Sequence, residues 1–138
     1  MHFRLITPER IAFEADAQSV TIPTTTGEIT VLPGHVPVVS QLGSGELVVR
    51  AGSAPEHNFA VAGGFVSIRG DQIDVLAETA DHADELDLQK AEEARARAEK
   101  LRESAQGQEE LAIASAALER ALAQIKVVGR KHKHHSRG

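Results

Sequence analysis

Apolar and polar positions alternate through the first half of the chain and recur at helical spacing through the second. Phe3/Leu5, Val20/Ile22, Ile29/Val31, Leu47/Val49, Phe59/Val61, Val66/Ile68 and Ile73/Val75 each put two apolar side chains on one face of a short strand. Turn signals separate them: Gly27, Pro33-Gly34, the stretch from Gly43 to Gly45, Gly52-Ser53, Gly63-Gly64 and Gly70-Asp71. Gly70-Asp71 reads as a two-residue hairpin connection. Gly63-Gly64 reads as a tight turn with positive φ, rather than a place where a ligand approaches the backbone. Short strands at this spacing predict a sandwich or a barrel over residues 1–83, long enough for one core.

From Asp84 onward the apolar period lengthens. Asp84 or Asp87 is placed to cap a first helix. Leu86, Ala91, Ala94, Ala98 and Leu101 follow on one face, with Glu93–Arg97 and Arg95–Glu99 as i,i+4 ion pairs on the wet face. Gly107 reads as the C′ residue that stops this helix. Leu111, Ala114, Leu118, Ala121/Leu122, Ile125 and Val128 mark a second helix, so a short break predicts an antiparallel helical hairpin over residues 84–128. Its seam is rich in alanine. At about 0.8 kcal/mol per buried CH₂, such a seam holds less than a leucine seam, although Ala, Glu, Lys, Arg and Leu are the best helix formers. The helices should therefore outlast their mutual packing, and the pair can open. Two opened helices of this length would reach about 60 Å.

Breakers and charge divide the chain at the same place. All five prolines and eight of the eleven glycines precede residue 71. Residues 1–83 carry four Lys/Arg and ten Asp/Glu, and residues 84–138 carry eleven and ten, so an acidic body has a basic end. No acid follows Glu119, whereas Arg120, Lys126, Arg130, Lys131, Lys133 and Arg137 do. The absence of cysteine excludes disulfides, thiolate metal sites and cysteine nucleophiles. No apolar run approaches the ~18 residues of a membrane span. The start, Met1-His2-Phe3-Arg4, resembles neither a signal nor a transit peptide, which favours a bacterial over a nuclear-encoded organelle source and leaves a plastid-encoded chain as the alternative. With four Phe and no Trp or Tyr, the chain is poorly equipped for base stacking, and no nucleic-acid partner is expected.

Candidate chemistry is sparse. His35 lies in Leu32-Pro33-Gly34-His35-Val36-Pro37, a loop stiffened by two prolines and a glycine, with Glu28 upstream. As an acid/base pair the two would make a small enzyme. No nucleophile, metal triad or phosphate loop accompanies them, so the plainer expectation is a loop histidine that bonds backbone or meets a partner. Lys131-His132-Lys133-His134-His135 has metal-binding residue types, but reads as a solvated tail, with residues 129–138 expected to be disordered. No catalytic residue, metal or cofactor is therefore expected.

Several segments resemble one family. Gly27-Glu28-Ile29-Thr30-Val31-Leu32-Pro33-Gly34-His35-Val36-Pro37 resembles the G-E-x-x-x-x-P-G-H-x-P segment of the F-type ATP synthase epsilon subunit. Val61-Ala62-Gly63-Gly64-Phe65 and Val75-Leu76-Ala77-Glu78-Thr79-Ala80 are similar to its x-x-G-G-x and V-L-A-(D/E)-x-A segments. Leu86-Asp87, the Ala/Glu/Arg-rich helix and Leu122-Ala123-Gln124-Ile125-Lys126-Val127 resemble its C-terminal hairpin. The match runs to about Val128 and leaves out the final tail.

The resemblance implies an α+β chain: an antiparallel β sandwich of about ten short strands, then an antiparallel two-helix hairpin. It implies a non-catalytic rotor subunit of the central stalk, which couples proton flow to ATP synthesis. The sandwich would bind the gamma subunit and stand on the c-ring, with Glu28, Pro33, Gly34 and His35 in the loop facing that ring. The chain would be peripheral to the cytoplasmic face of a bacterial cell membrane. The hairpin, packed on the sandwich, would permit turnover; extended toward the alpha and beta catalytic subunits, it would restrain hydrolysis. Arg120, Lys126, Arg130 and Lys131 are the expected contacts there. Some members bind ATP through (I/L)-D-x-x-R-A. Leu86, Asp87, Lys90 and Ala91 match that motif with lysine for arginine, which loses the planar fork and implies at most weak binding. The other reading is a free-standing interaction module of the same architecture with another helical partner.

Overall fold

A computed structural model describes the backbone of residues 1–135 and side chains as far as Gly129. It contains eight strands: β1 (His2–Ile6), β2 (Ile11–Asp16), β3 (Ser19–Thr24), β4 (Gly27–Val31), β5 (Val38–Gln41), β6 (Gly45–Arg50), β7 (His57–Arg69) and β8 (Gln72–His82). A 3₁₀ turn at Ala83–Glu85 leads into α1 (Leu88–Ser104) and α2 (Gln108–His135).

The strand count falls short of ten because β7 and β8 are long. They pair antiparallel from Phe59↔His82 to Arg69↔Gln72 and change neighbours along the way. The first part of β7 pairs with β6, which continues through β3 to β4. Its second part pairs with β5, while the start of β8 pairs with β1, which continues to β2. One hairpin thus serves both layers, and β7 reads in sequence as two short strands, Phe59/Val61 and Val66/Ile68. The β1–β8 pair is parallel, an exception to the expected antiparallel order. It arises because β8 returns beside β1 only after the chain has built the rest of the sandwich.

Gly63-Gly64 is therefore not a turn between strands. It is the bend inside β7, with φ +70° and +119°. A Cβ on Gly64 would collide with the backbone carbonyl of Leu76, whereas one on Gly63 would meet only the Glu78 side chain. Gly70-Asp71 does form the two-residue β7–β8 connection, with positive φ at Gly70 alone, as in a type II′ turn.

Every alternating pair from the sequence faces inward except Ile29, which packs at the edge. Phe3, Leu5, Val20, Ile22, Val31, Leu47, Val49, Val61, Val66 and Val75 form one cluster with Phe59, Ile68 and Ile73. Each such side chain contributes about 1.5–3 kcal/mol by leaving water. Three of the four phenylalanines gather here: Phe13 lies 6.3 Å from Phe3 and 5.1 Å from Phe59. Strands β2 and β5 gave no clear alternation because they are half-exposed edges.

On the outer face of one layer Arg4 grips Asp74 with two hydrogen bonds, at 2.9 and 3.1 Å, and Gln72 adds a third at 2.9 Å. The Arg4 hydrogen bonds hold the Asp74 carboxyl below the usual carboxylate range, against the opposing effect of burial.

In the second half, Ala91, Ala98, Ala114 and Ala121 are all buried along the helix–helix seam, as the pattern predicts. Leu118 is buried with them, whereas Leu101, Leu111 and Leu122 stay 56%, 43% and 48% exposed. Alanine lets the helices approach closely, which leaves the longer side chains on the rims. Arg95 takes both Glu92 (3.1 Å) and Glu99 (2.8 Å), and the expected Glu93–Arg97 pair is not formed. One guanidinium reaches acids at i−3 and i+4 together, whereas an exposed pair gains little over water.

Gly107 lies at the start of α2 rather than closing α1, which ends at Ser104. The Gly107 carbonyl accepts from the Leu111 N–H at 3.2 Å, and Glu110 reaches back to the Gln106 N–H at 2.7 Å. The α2 backbone continues past Val128 to His135. A cationic run at a helix C-terminus is favoured by the helix dipole.

Gly64→Ala is expected to destabilise the sandwich by more than about 3 kcal/mol, because backbone must move, and Gly63→Ala by about 1 kcal/mol. Urea denaturation of the two variants checks the ranking. Asp74→Asn should cost about 1–2 kcal/mol at neutral pH. Because the folded Asp74 pKa is depressed, its contribution is full above the unfolded value and disappears as pH falls through the folded one, below about pH 4. Thermal melts of parent and variant should converge there.

Candidate functional site

Two surfaces carry the residues singled out in the sequence. The first is the loop after β4. Pro33 and Gly34 occupy the centre of a β-turn closed by the His35 N–H donating to the Leu32 carbonyl at 3.1 Å. Gly34 has φ +86°. Proline followed by a positive-φ glycine is the pattern of a type II turn. His35 Nδ1–H donates to the Val36 carbonyl at 2.8 Å, which commits that ring nitrogen to the loop's own backbone. Glu28 is exposed on β4, opposite Pro23. No hydrogen bond or ion pair joins Glu28 to His35, so the acid/base pair that an enzyme would need is not assembled.

The sequence reading overlooked apolar residues around this surface. Leu32 and Val36 are 55% and 67% exposed on the turn itself. Val39, Phe65 and Leu76 are 78%, 59% and 47% exposed. Phe65 pairs with Gln41 on one side and Leu76 on the other. Since Val38, Val66 and Val75 point inward, Val39, Phe65 and Leu76 share the outer face of their layer. Consecutive apolar residues at Val38-Val39, Phe65-Val66 and Val75-Leu76 were the available signal: strict alternation would leave a polar residue at each outward place.

The second surface is the hairpin lying on the sandwich. Ala123 and Val127 of α2 pack on Ala60 and Ala83, with Leu86 at the margin. Arg120 donates to Asp81 through Nε at 3.1 Å and through a terminal nitrogen at 2.9 Å, and Gln124 donates to the same carboxylate at 3.0 Å. The Asp81 hydrogen bond raises the Arg120 pKa. Lys126 is exposed. The side chains of Arg130 and Lys131 lie outside the described residues, as does the side-chain chemistry of the histidine tract.

Leu86, Asp87, Lys90 and Ala91 come together at the start of α1, but with structural duties. Asp87 is the N-cap, accepting from the Lys90 N–H at 3.1 Å. Leu86 packs against the hairpin–sandwich cluster. Ala91 is buried in the seam, at 3% exposure. Asp87 and Lys90 alone present polar groups to solvent. Among the described residues no cluster of His, Asp and Glu is arranged to hold a metal ion, and no helix is long and apolar enough to cross a membrane.

Asp87→Ala should lower hairpin stability by about 1 kcal/mol and leave the sandwich unaltered. Hydrogen exchange of amides at the start of α1, compared with those of β6, checks this.

The chain matches two family models in succession. Residues 1–83 match the ATP synthase delta/epsilon chain beta-sandwich domain, and residues 84–129 match the long alpha-helix domain. An ATP synthase epsilon chain of Moorella thermoacetica is 41% identical over 94% of this chain and 96% of its own length. That of Halalkalibacterium halodurans is 36% identical over 94% and 98%. A chain from the Euglena gracilis mitochondrial ATP synthase, in a structure of OSCP, F1 and c-ring, has the same fold: TM-score 0.74, 24% identity, 88% of this chain and 76% of that one. A chain from the central stalk and c-ring of the Tetrahymena thermophila mitochondrial enzyme gives a TM-score of 0.57 at 17% identity, over 94% and 95% of the two chains. By its sandwich, its hairpin and these relatives, the chain belongs to the ATP synthase epsilon chain family.

Proposed function

We propose that the chain is a non-catalytic rotor subunit of a proton-translocating F-type ATP synthase, peripheral to the cytoplasmic face of a bacterial membrane. The observation that carries this reading is the separation of the two cores. The main cluster contains no hairpin residue, and the hairpin meets the sandwich through a small cluster of its own. Such a body keeps a fixed attachment through the sandwich while the hairpin changes position.

The Val39, Phe65 and Leu76 face supplies the apolar surface for the gamma subunit. The turn containing Pro33, Gly34 and His35, together with Glu28 on β4, faces the c-ring: the backbone of the turn is pinned by proline and the Leu32–His35 bond, so binding orders little further. The packed hairpin permits turnover. Extended, it brings Arg120, Lys126, Arg130 and Lys131 to the alpha and beta subunits and restrains ATP hydrolysis. Exposed ion pairs contribute about 0.2–1 kcal/mol each and are screened by salt, so the four must act together. Nucleotide binding at Leu86–Ala91 has little support, since Asp87 is committed to the helix cap.

The test is ATP hydrolysis by the cognate complex depleted of this chain. Adding back residues 1–138 should restrain hydrolysis, less so at high salt. Residues 1–83, which hold the whole main core, should bind without restraint. Binding by neither piece would overturn the assignment, and binding without inhibition by either would leave coupling and remove the brake. Phe65→Ser should weaken association with gamma about tenfold in a pull-down titration, with the sandwich still folded.

A further inference from the structure

The contact between hairpin and sandwich is poor in apolar area. Of Ala60, Ala83, Ala123 and Val127, three are alanines, each offering a single methyl group. Polar contacts therefore carry unusual weight, and those described between α2 and the sandwich fall in two places. Ser44 donates to Glu119 at 3.3 Å, in an exposed, long hydrogen bond. The other place is Asp81, which accepts from two nitrogens of Arg120 and from Gln124, at 2.9–3.1 Å. Arg120 and Gln124 are one turn apart on α2, so one helix face brings both to the same carboxylate.

The burial is lopsided: the Asp81 side chain is 18% exposed and that of Arg120 is 48% exposed. Asp81 also sits at the end of β8, just before the turn that leads into the hairpin. While α2 is docked, a carboxylate that is 18% exposed depends on Arg120 and Gln124 for its hydrogen bonds, and losing the arginine alone would leave it Gln124 and little water.

We infer that Asp81 is the latch that holds α2 on the sandwich, through the fork of Arg120 and the amide of Gln124. Two donors of the Arg120 fork are occupied by Asp81 while the hairpin is docked. The same guanidinium then cannot make a bidentate contact with an acid on another subunit. Resting on the function proposed above, this makes docking and the partner contact alternatives for one side chain, with Asp81 standing inside the chain where the partner's acid stands outside it.

The test uses the isolated full chain, so it decides the latch whatever the hydrolysis assay shows. The chain has no cysteine, so Ser53→Cys and Ile113→Cys, both at exposed positions, accept a pair of spin labels, one on the sandwich and one on α2. Asp81→Asn should raise the undocked population in the distance distribution by about fivefold. Arg120→Gln should do the same, and Arg120→Lys should fall between, since it keeps charge and loses the fork. Arg120 is exposed on a helix, so its variants stay informative even where Asp81→Asn proves poorly folded. The exchanged pair, Asp81→Arg with Arg120→Asp, should return the docked distance. Unchanged distributions in Asp81→Asn and Arg120→Gln, or an exchanged pair no more docked than the single variants, would overturn the latch.

Discussion

The β7–β8 hairpin and its bend at Gly63-Gly64 are the constraint on which the rest of this structure depends. A single pair of strands crosses from one layer to the other, keeping register from Phe59↔His82 to Arg69↔Gln72. Every other strand connects to one of these two, directly or through one or two intervening strands. The bend works because Gly64 brings bare backbone against the Leu76 carbonyl, where a side chain has no room. Without it, the two halves of β7 could not supply both Phe59 and Val61 to one layer and Val66 and Ile68 to the other. The inward faces would then lose the register that makes them one core.

The helical half obeys a different rule. Its helices are held by intrinsic propensity, by the Asp87 cap and by Arg95 spanning two glutamates, all of which act within a helix. Contacts between helices, and between α2 and the sandwich, are made mostly by alanine. Local order is therefore strong where tertiary attachment is weak. The opposite holds in the sandwich, whose short strands have little stability apart from their shared core. This contrast, rather than either half alone, is what the proposed function rests on: a sandwich with a core of its own and a hairpin attached to it by little apolar area.

The sequence made the core strands legible because burial on one face forces alternation, and Phe3/Leu5 through Ile73/Val75 show it. Edge strands β2 and β5 escaped because an edge with half-exposed residues is under no such pressure. The splitting of β7 in the reading had a specific cause: Gly-Gly signals positive φ equally for a turn and for a bend within a strand. Gly107 was misplaced for a similar reason, since glycine serves both after one helix and before the next. The rigidity of the turn around His35 was readable, being fixed by proline and glycine within a few residues, whereas the exposure of Leu32 and Val36 on it was not. Arg120 could be chosen from its place in the charge pattern, but its tie to Asp81 spans 39 residues, and no local pattern encodes a contact that only the docked hairpin creates.

The outward apolar residues complete the division of labour. Phe65 is the one phenylalanine that leaves the aromatic cluster, and it stands on the layer opposite the one that α2 covers: α2 packs on Ala60 in the first part of β7, whereas Phe65 begins the second part. The bend thus separates two kinds of surface on a single strand. Before it, β7 offers small residues to a helix that also reaches the Asp81 carboxylate. After it, the strand offers a large ring between Gln41 and Leu76 that the described residues leave exposed. On the function proposed above, a partner covering that ring would stand on the layer opposite the Asp81 contact. A partner held at Phe65 and a change of state at Asp81 are therefore compatible in one small protein, because Gly63-Gly64 puts them on different layers.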